Sequence, residues 1–190
     1  KGVVQINYIG GPKAIPTFEQ GNALRTCVVD LANTTTSFTA SIIPEGLSLN
    51  YTDQTMAELR KNGTLEYLNT LFMEKGLYFF ARTGEGIQYY IDSNKKIEKA
   101  DLSGLKLRIA PIYRDFFQKQ GATVVRMAPG EVFTGLEPGF YAIELGIQVV
   151  KLDDAQAKVF LKNAYDAGRD GIVKVSPVHG ATLRGLMAPK

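Results

Sequence analysis

The sequence predicts an α/β fold in which parallel strands alternate with helices, set out as two successive series with a pair of strands between them. Three observations carry this expectation. The β-branched and aromatic run at 3–9, a helical pattern at 17–25 and the apolar start of VVDLANTTTSF form a strand–helix–strand unit within about thirty residues. GLKLRIAP, residues 104–111, opens a second series of the same kind, through a helix near 113–120 to the strand ATVVRM. Between the two lie LYFFAR, 77–82, and IQYYI, 87–91, apolar runs joined by the turn Thr83-Gly84-Glu85-Gly86.

The first strand is closed by Gly10-Gly11-Pro12, and the strand beginning at Val28 runs into a hydroxyl-rich loop. Pro44-Glu45-Gly46 punctuates the chain, after which Thr52 or Asp53 is a suitable cap for a helix through TMAELRKNG. Beyond Gly63, Leu65, Leu68, Leu71 and Phe72 recur at helical spacing, and Gly76 stands where a left-handed C-terminal cap is wanted. The polar stretch 93–103 reads as a surface connection. Gly121 ends the helix of the second series, Pro129-Gly130 makes a turn, and EVFTGL opens another helix. Residues 140–150, FYAIELGIQVV, form a long strand candidate; Asp153 caps a helix expected to stop near Ala167 with Gly168 at its end. The last twenty residues show no clear period.

Composition narrows the function classes. The chain has 190 residues, 45% of them apolar, enough for one substantial domain or two small lobes. Lys and Arg number 22 against 19 Asp and Glu, a net charge of +3, with no basic run longer than Lys95-Lys96. A nucleic-acid binder would show a basic stripe or patch, so no nucleic-acid partner is expected. The single Cys27 excludes an internal disulfide framework and a Cys-rich zinc site, and the single His179 excludes a histidine-rich metal centre. No cofactor is expected. The apolar runs are too short to span a bilayer, so no direct membrane insertion is expected, and KGVVQINYIGG lacks the layout of a signal peptide. Sequons at Asn33, Asn50 and Asn62 matter only in a glycosylating secretory pathway.

Alternation in GLKLRI places Leu105, Leu107 and Ile109 on one face and Lys106, Arg108 and Ala110 on the other. Arg108 thus stands at the carboxyl end of a parallel strand, the rim where open α/β sheets bind ligands, and its planar fork suits a carboxylate. The ordinary reading is that it pairs with a nearby Asp or Glu or reaches water. Thr34, Thr35, Thr36 and Ser37 either line a polar pocket or satisfy their own backbone. Phe140 and Tyr141 either wall a pocket or belong to the core. Catalytic constellations are scarce: Cys27 reads as an inert buried thiol, and Ser37, Ser41 and Ser176 lack a nucleophile elbow. Gly84 and Gly86 lack the third glycine and the following helix of a phosphate loop.

The run DLSGLKLRIAPIYRDFFQKQGATVVRMAPGEVFTGL, 101–136, closely resembles a signature of the solute receptors of tripartite ATP-independent periplasmic (TRAP) transporters, dicarboxylate-receptor type. In that family a G-L-K-(I/L)-R strand, a helix, G-A-T, and E-V-(Y/F)-T-x-L recur in this order. Residues 6–38 and 140–164 resemble the family more weakly. The resemblance implies a two-lobed periplasmic-binding-protein-like fold, type II, and a periplasmic, non-enzymatic receptor that closes on an organic acid and delivers it to a membrane permease. Arg108 matches the arginine that pairs with the ligand carboxylate, Gln88 falls where a second arginine often stands, Thr35 and Thr36 lie near the first-lobe pocket loop, and Phe140 lies near the returning strand. The implied organisation is a first lobe over 1–86, a second over 87–146, and 147–190 packing across both. Set against the family, the first strand and helix are missing, and the step from Leu136 to Glu137-Pro138-Gly139 implies a loss of about thirty residues. From outside the family, a small α/β enzyme that uses Arg108 only to hold a carboxylate substrate is the alternative.

Overall fold

The second strand–helix–strand series folds as its sequence predicts. The computed structural model of the chain describes residues 2–85, 97, 101–127 and 153–187. In chain order the helices are α1 (Gln20–Arg25), α2 (Thr36–Thr39), α3 (Met56–Lys61) and α4 (Thr64–Glu74); then β1 (Lys106–Ile109), α5 (Arg114–Lys119) and β2 (Thr123–Arg126); then α6 (Asp154–Val175) and α7 (Pro177–Leu186). Short 3₁₀ turns occupy Thr17–Glu19, Pro44–Asn50 and Pro111–Tyr113. β1 and β2 are parallel neighbours, with Arg108 opposite Val125 and Ile109 opposite Arg126. Ile109 and Phe116 are buried between this sheet and α5 and its surroundings, where Leu102 also packs away from solvent.

Local chemistry explains the helix ends. Thr55 caps α3 rather than Thr52 or Asp53, because only Thr55 has a glutamate three residues on. Its hydroxyl accepts from the Glu58 N–H at 3.3 Å, while the Glu58 carboxylate accepts from the Thr55 N–H at 2.7 Å. Gly76 at φ +72 closes α4: Leu77 N–H donates to the Phe72 carbonyl and Gly76 N–H to that of Met73. Gly121 at φ +85 closes α5 with the same pair of bonds, from Ala122 to Phe117 and from Gly121 to Gln118. α1 ends on this motif too, but with Cys27 in the left-handed position at φ 56. The turn leaves Cys27 exposed, which corrects the expectation of a buried thiol.

Three expected strands are absent. Residues 3–9 form no strand, with Val3 94%, Ile6 75% and Tyr8 80% exposed. The run after Cys27 leaves Val28 and Leu31 in solvent. Over residues 77–82 the side-chain amide of Asn69 takes the place of a neighbouring strand: Phe79 N–H donates to Asn69 Oδ1 at 2.8 Å and Asn69 Nδ2 donates to the Phe79 carbonyl at 3.1 Å. The strands expected at 87–91 and 140–150 and the helix expected from Glu131 lie outside the described residues.

The main core is helical. Ile43, Leu49, Met56, Leu59, Leu65, Leu68, Leu71 and Phe72 pack with Leu183 and Met187 from α7. A second cluster joins Tyr51, Ile112 and Ile172. Asp153 caps α6 as expected, accepting from the Gln156 N–H at 2.8 Å. The helix does not stop at Gly168, however; it runs on through Gly171 to Val175. Glycine costs a helix interior only about 1 kcal/mol, and here it makes room, since a Cβ on Gly168 would overlap the Tyr51 ring. α7 follows with Pro177 at its first turn and Gly180 set so close to α6 that a Cβ there would lie 2.8 Å from the Val173 Cα. No periodicity announced α7, because glycines interrupt its apolar face.

Candidate functional site at the carboxyl ends of the parallel strands

Arg108 projects from the third position of β1, half-buried. Its Nε and Nη2 both donate to the Met127 carbonyl, at 3.1 and 2.7 Å, just beyond the end of β2. One edge of the fork is thereby fixed to the main chain. Among the described residues no carboxylate lies within ion-pair distance of Arg108. The guanidinium has five N–H donors, and among the described residues the remaining ones have no partner, so they can face an anion at the sheet rim.

The hydroxyl loop comes to the same end of the sheet. α2 packs against Pro111–Tyr113, the turn that directly follows β1. Thr35 caps α2, its hydroxyl oxygen accepting from the Ser37 N–H at 3.4 Å. Thr36 Oγ1 accepts from Asn50 Nδ2 at 2.7 Å, which leaves its own proton to donate. Arg126, the last residue of β2, lies with its guanidinium carbon 3.9 Å from the centre of the Phe18 ring, and Phe18 meets Phe38 edge-on at 5.2 Å. These contacts tie the Thr17–Glu19 turn and α2 to the strand ends that carry Arg108.

Behind the site stands a buried tyrosine. The Tyr51 hydroxyl donates to the Ile112 carbonyl at 2.8 Å, and burial pushes its phenol far above the usual range, so it remains a donor. Arg169 Nη2 donates to the Tyr51 carbonyl at 2.8 Å and to that of Met187 at 3.3 Å. On the outer side the Tyr165 hydroxyl donates to Asp53 Oδ1, and burial, then that bond, raise its phenol to about 12. A crevice of ≈ 10 Å³ beside Tyr51, Arg169 and Leu183 has room for about one water molecule.

Of the sequence-predicted site residues, Arg108 lies on β1, while Thr35 caps and Thr36 begins α2, which packs against the turn after β1; Gln88 and Phe140 lie outside the described residues. His179 is occupied elsewhere, with Nδ1 2.7 Å from the Tyr67 hydroxyl between α4 and α7. Sequence reasoning missed Arg126 and Tyr51. The positional argument made for Arg108 in β1 applies equally to Arg126 at the end of ATVVRM. Tyr51 gave no local signal, because its hydroxyl's partner lies 61 residues away. Among the described residues no group of three or more His, Cys, Asp or Glu is placed to hold a metal, and no helix is long and apolar enough to cross a membrane.

The family model for bacterial extracellular solute-binding protein, family 7, matches residues 9–140, more than half of the chain. The matched span contains α1 to α5, both strands, Arg108 and the hydroxyl loop. The chain therefore belongs to bacterial extracellular solute-binding protein family 7, the extracytoplasmic solute receptors of TRAP transporters.

Proposed function

We propose that this receptor binds a small organic acid in the periplasm, by its carboxylate, at the carboxyl ends of β1 and β2, and hands it to the permease subunits of a TRAP transporter. The observation that carries this reading is the state of Arg108: half-buried, one edge anchored on the Met127 carbonyl, and no described carboxylate paired with it. An arginine held this way is pre-organised, so less side-chain freedom is lost when an anion binds. Thr35 and Thr36 supply hydroxyls; Gln88 supplies an uncharged hydrogen bond where a second arginine would add charge, and Phe140 an aromatic wall. Two lobes, 1–86 and 87–146, with 147–190 packed across them, close on the ligand by a hinge motion.

With Gln88 in that place, a monocarboxylate, 2-oxo acid or hydroxy acid suits the site better than a densely charged ligand, since every buried carboxylate needs a partner. Calorimetry against a panel of mono- and dicarboxylates tests the reading. Tight binding of a panel member without turnover over hours, lost in Arg108→Ala, supports it. Conversion of the bound acid would favour the small α/β enzyme, and unchanged affinity in Arg108→Ala would remove Arg108 from the site.

A further inference from the structure

Pro111–Tyr113 is the turn that carries the chain out of the Arg108 strand and into α5, and Tyr51, 61 residues earlier, sends a side-chain bond to it. That tyrosine is 6% exposed, and three contacts, from two elements, fix it at once. Its hydroxyl donates to the Ile112 carbonyl at 2.8 Å. Its ring lies on Gly168, where any Cβ would overlap it, so α6 is shaped to receive this ring. Its own carbonyl accepts from Arg169, one residue further along the same helix. Ile172, another turn along α6, packs with Tyr51 and Ile112 in one apolar cluster.

We infer that Tyr51 is a positioning residue for the anion site: braced by Gly168 and Arg169 of α6, it holds the Ile112 carbonyl and so sets the turn that follows Arg108. This inference rests on the proposed role of Arg108, but the bracing has a ligand-free readout. A buried ring with a single hydroxyl bond to a main-chain carbonyl transmits position without touching the ligand. Helix α6 becomes the fixed side of the site, and the long helix is continued past two glycines because one of them must admit this ring.

Tyr51→Phe keeps the ring and deletes the bond, and Tyr67→Phe, which loses the contact to His179 outside the site, serves as the control. In the ligand-free protein, amide exchange is followed at Tyr113, whose N–H donates to the Ala110 carbonyl at 3.0 Å, and at Leu68 in α4. The expected result for Tyr51→Phe is exchange at Tyr113 faster by about fivefold with Leu68 unchanged, as one hydrogen bond is lost locally. In calorimetry with the tightest-binding carboxylate of the panel, affinity falls about fivefold in Tyr51→Phe and stays at the parent value in Tyr67→Phe. Unchanged exchange at Tyr113, an equal rise at Tyr113 and Leu68, or parental affinity in Tyr51→Phe would each overturn the inference. If the parent binds no carboxylate, the ligand reading fails, while the exchange at Tyr113 still decides whether Tyr51 sets the turn.

Discussion

Residues 3–33 and residues 105–126 carry the same message in sequence, strand then helix then apolar run, and only the second becomes a paired sheet. In the second, β1 and β2 hydrogen-bond each other in parallel and Ile109 is 5% exposed. In the first, a helix forms where expected, yet the run before it lies in solvent and the run after it begins with a tight left-handed turn at Cys27. The difference teaches that β-branched and aromatic content states what a segment does once it has a neighbour and an apolar layer; it supplies neither. Residues 77–82 fall between the two cases, with the Asn69 side chain standing in for a neighbouring strand at one residue only.

The largest effect separating the two regions is expected in their isoleucines. Ile109→Ala should lower unfolding free energy by about 2–5 kcal/mol in urea titrations, whereas Ile6→Ala stays within about 0.5 kcal/mol. Equal costs would mean that residues 3–9 are packed in solution and would break the contrast. Next, Asn69→Ala should cost about 1–3 kcal/mol by leaving the Phe79 N–H and carbonyl without their partner, with faster amide exchange at Phe79. Smallest, the two helix ends that share one motif should respond with opposite signs. Gly121→Ala should destabilise by about 1–2 kcal/mol from its left-handed φ alone, with crowding against Ser103 adding to this. Cys27→Gly should raise stability by up to about 1 kcal/mol, read as a higher Tm.

What was legible in the sequence is what local chemistry decides. The spacing of Leu65, Leu68, Leu71 and Phe72, the left-handed glycines Gly76 and Gly121 and the Asp153 cap depend on neighbours within a few residues, and the parallel unit around Arg108 on one short crossover that brings Lys106 opposite Thr123. What was not legible depends on distant partners. Gly168 reads as a helix stop until the ring of Tyr51 is known to occupy the space its side chain would fill. α7 has no period because Gly180 serves a close approach to Val173 rather than an apolar stripe. At the site, the position of Arg108 was readable from strand alternation, but its anchor on the Met127 carbonyl and the brace behind its turn were not, because both arise only when β2 and α6 pack against β1 and its loop.

In the proposed function, Arg108 is the anion contact at the carboxyl end of the parallel pair. Its most direct test is the dissociation constant of the tightest-binding carboxylate, measured by calorimetry for the parent and for Arg108→Ala at one pH and salt concentration. Truncating one side of a desolvated charged pair costs about 2–5 kcal/mol, so affinity should fall by roughly 30-fold to more than a thousand-fold while Tm changes little. An Arg108→Ala protein that binds the same acid as tightly as the parent would contradict it.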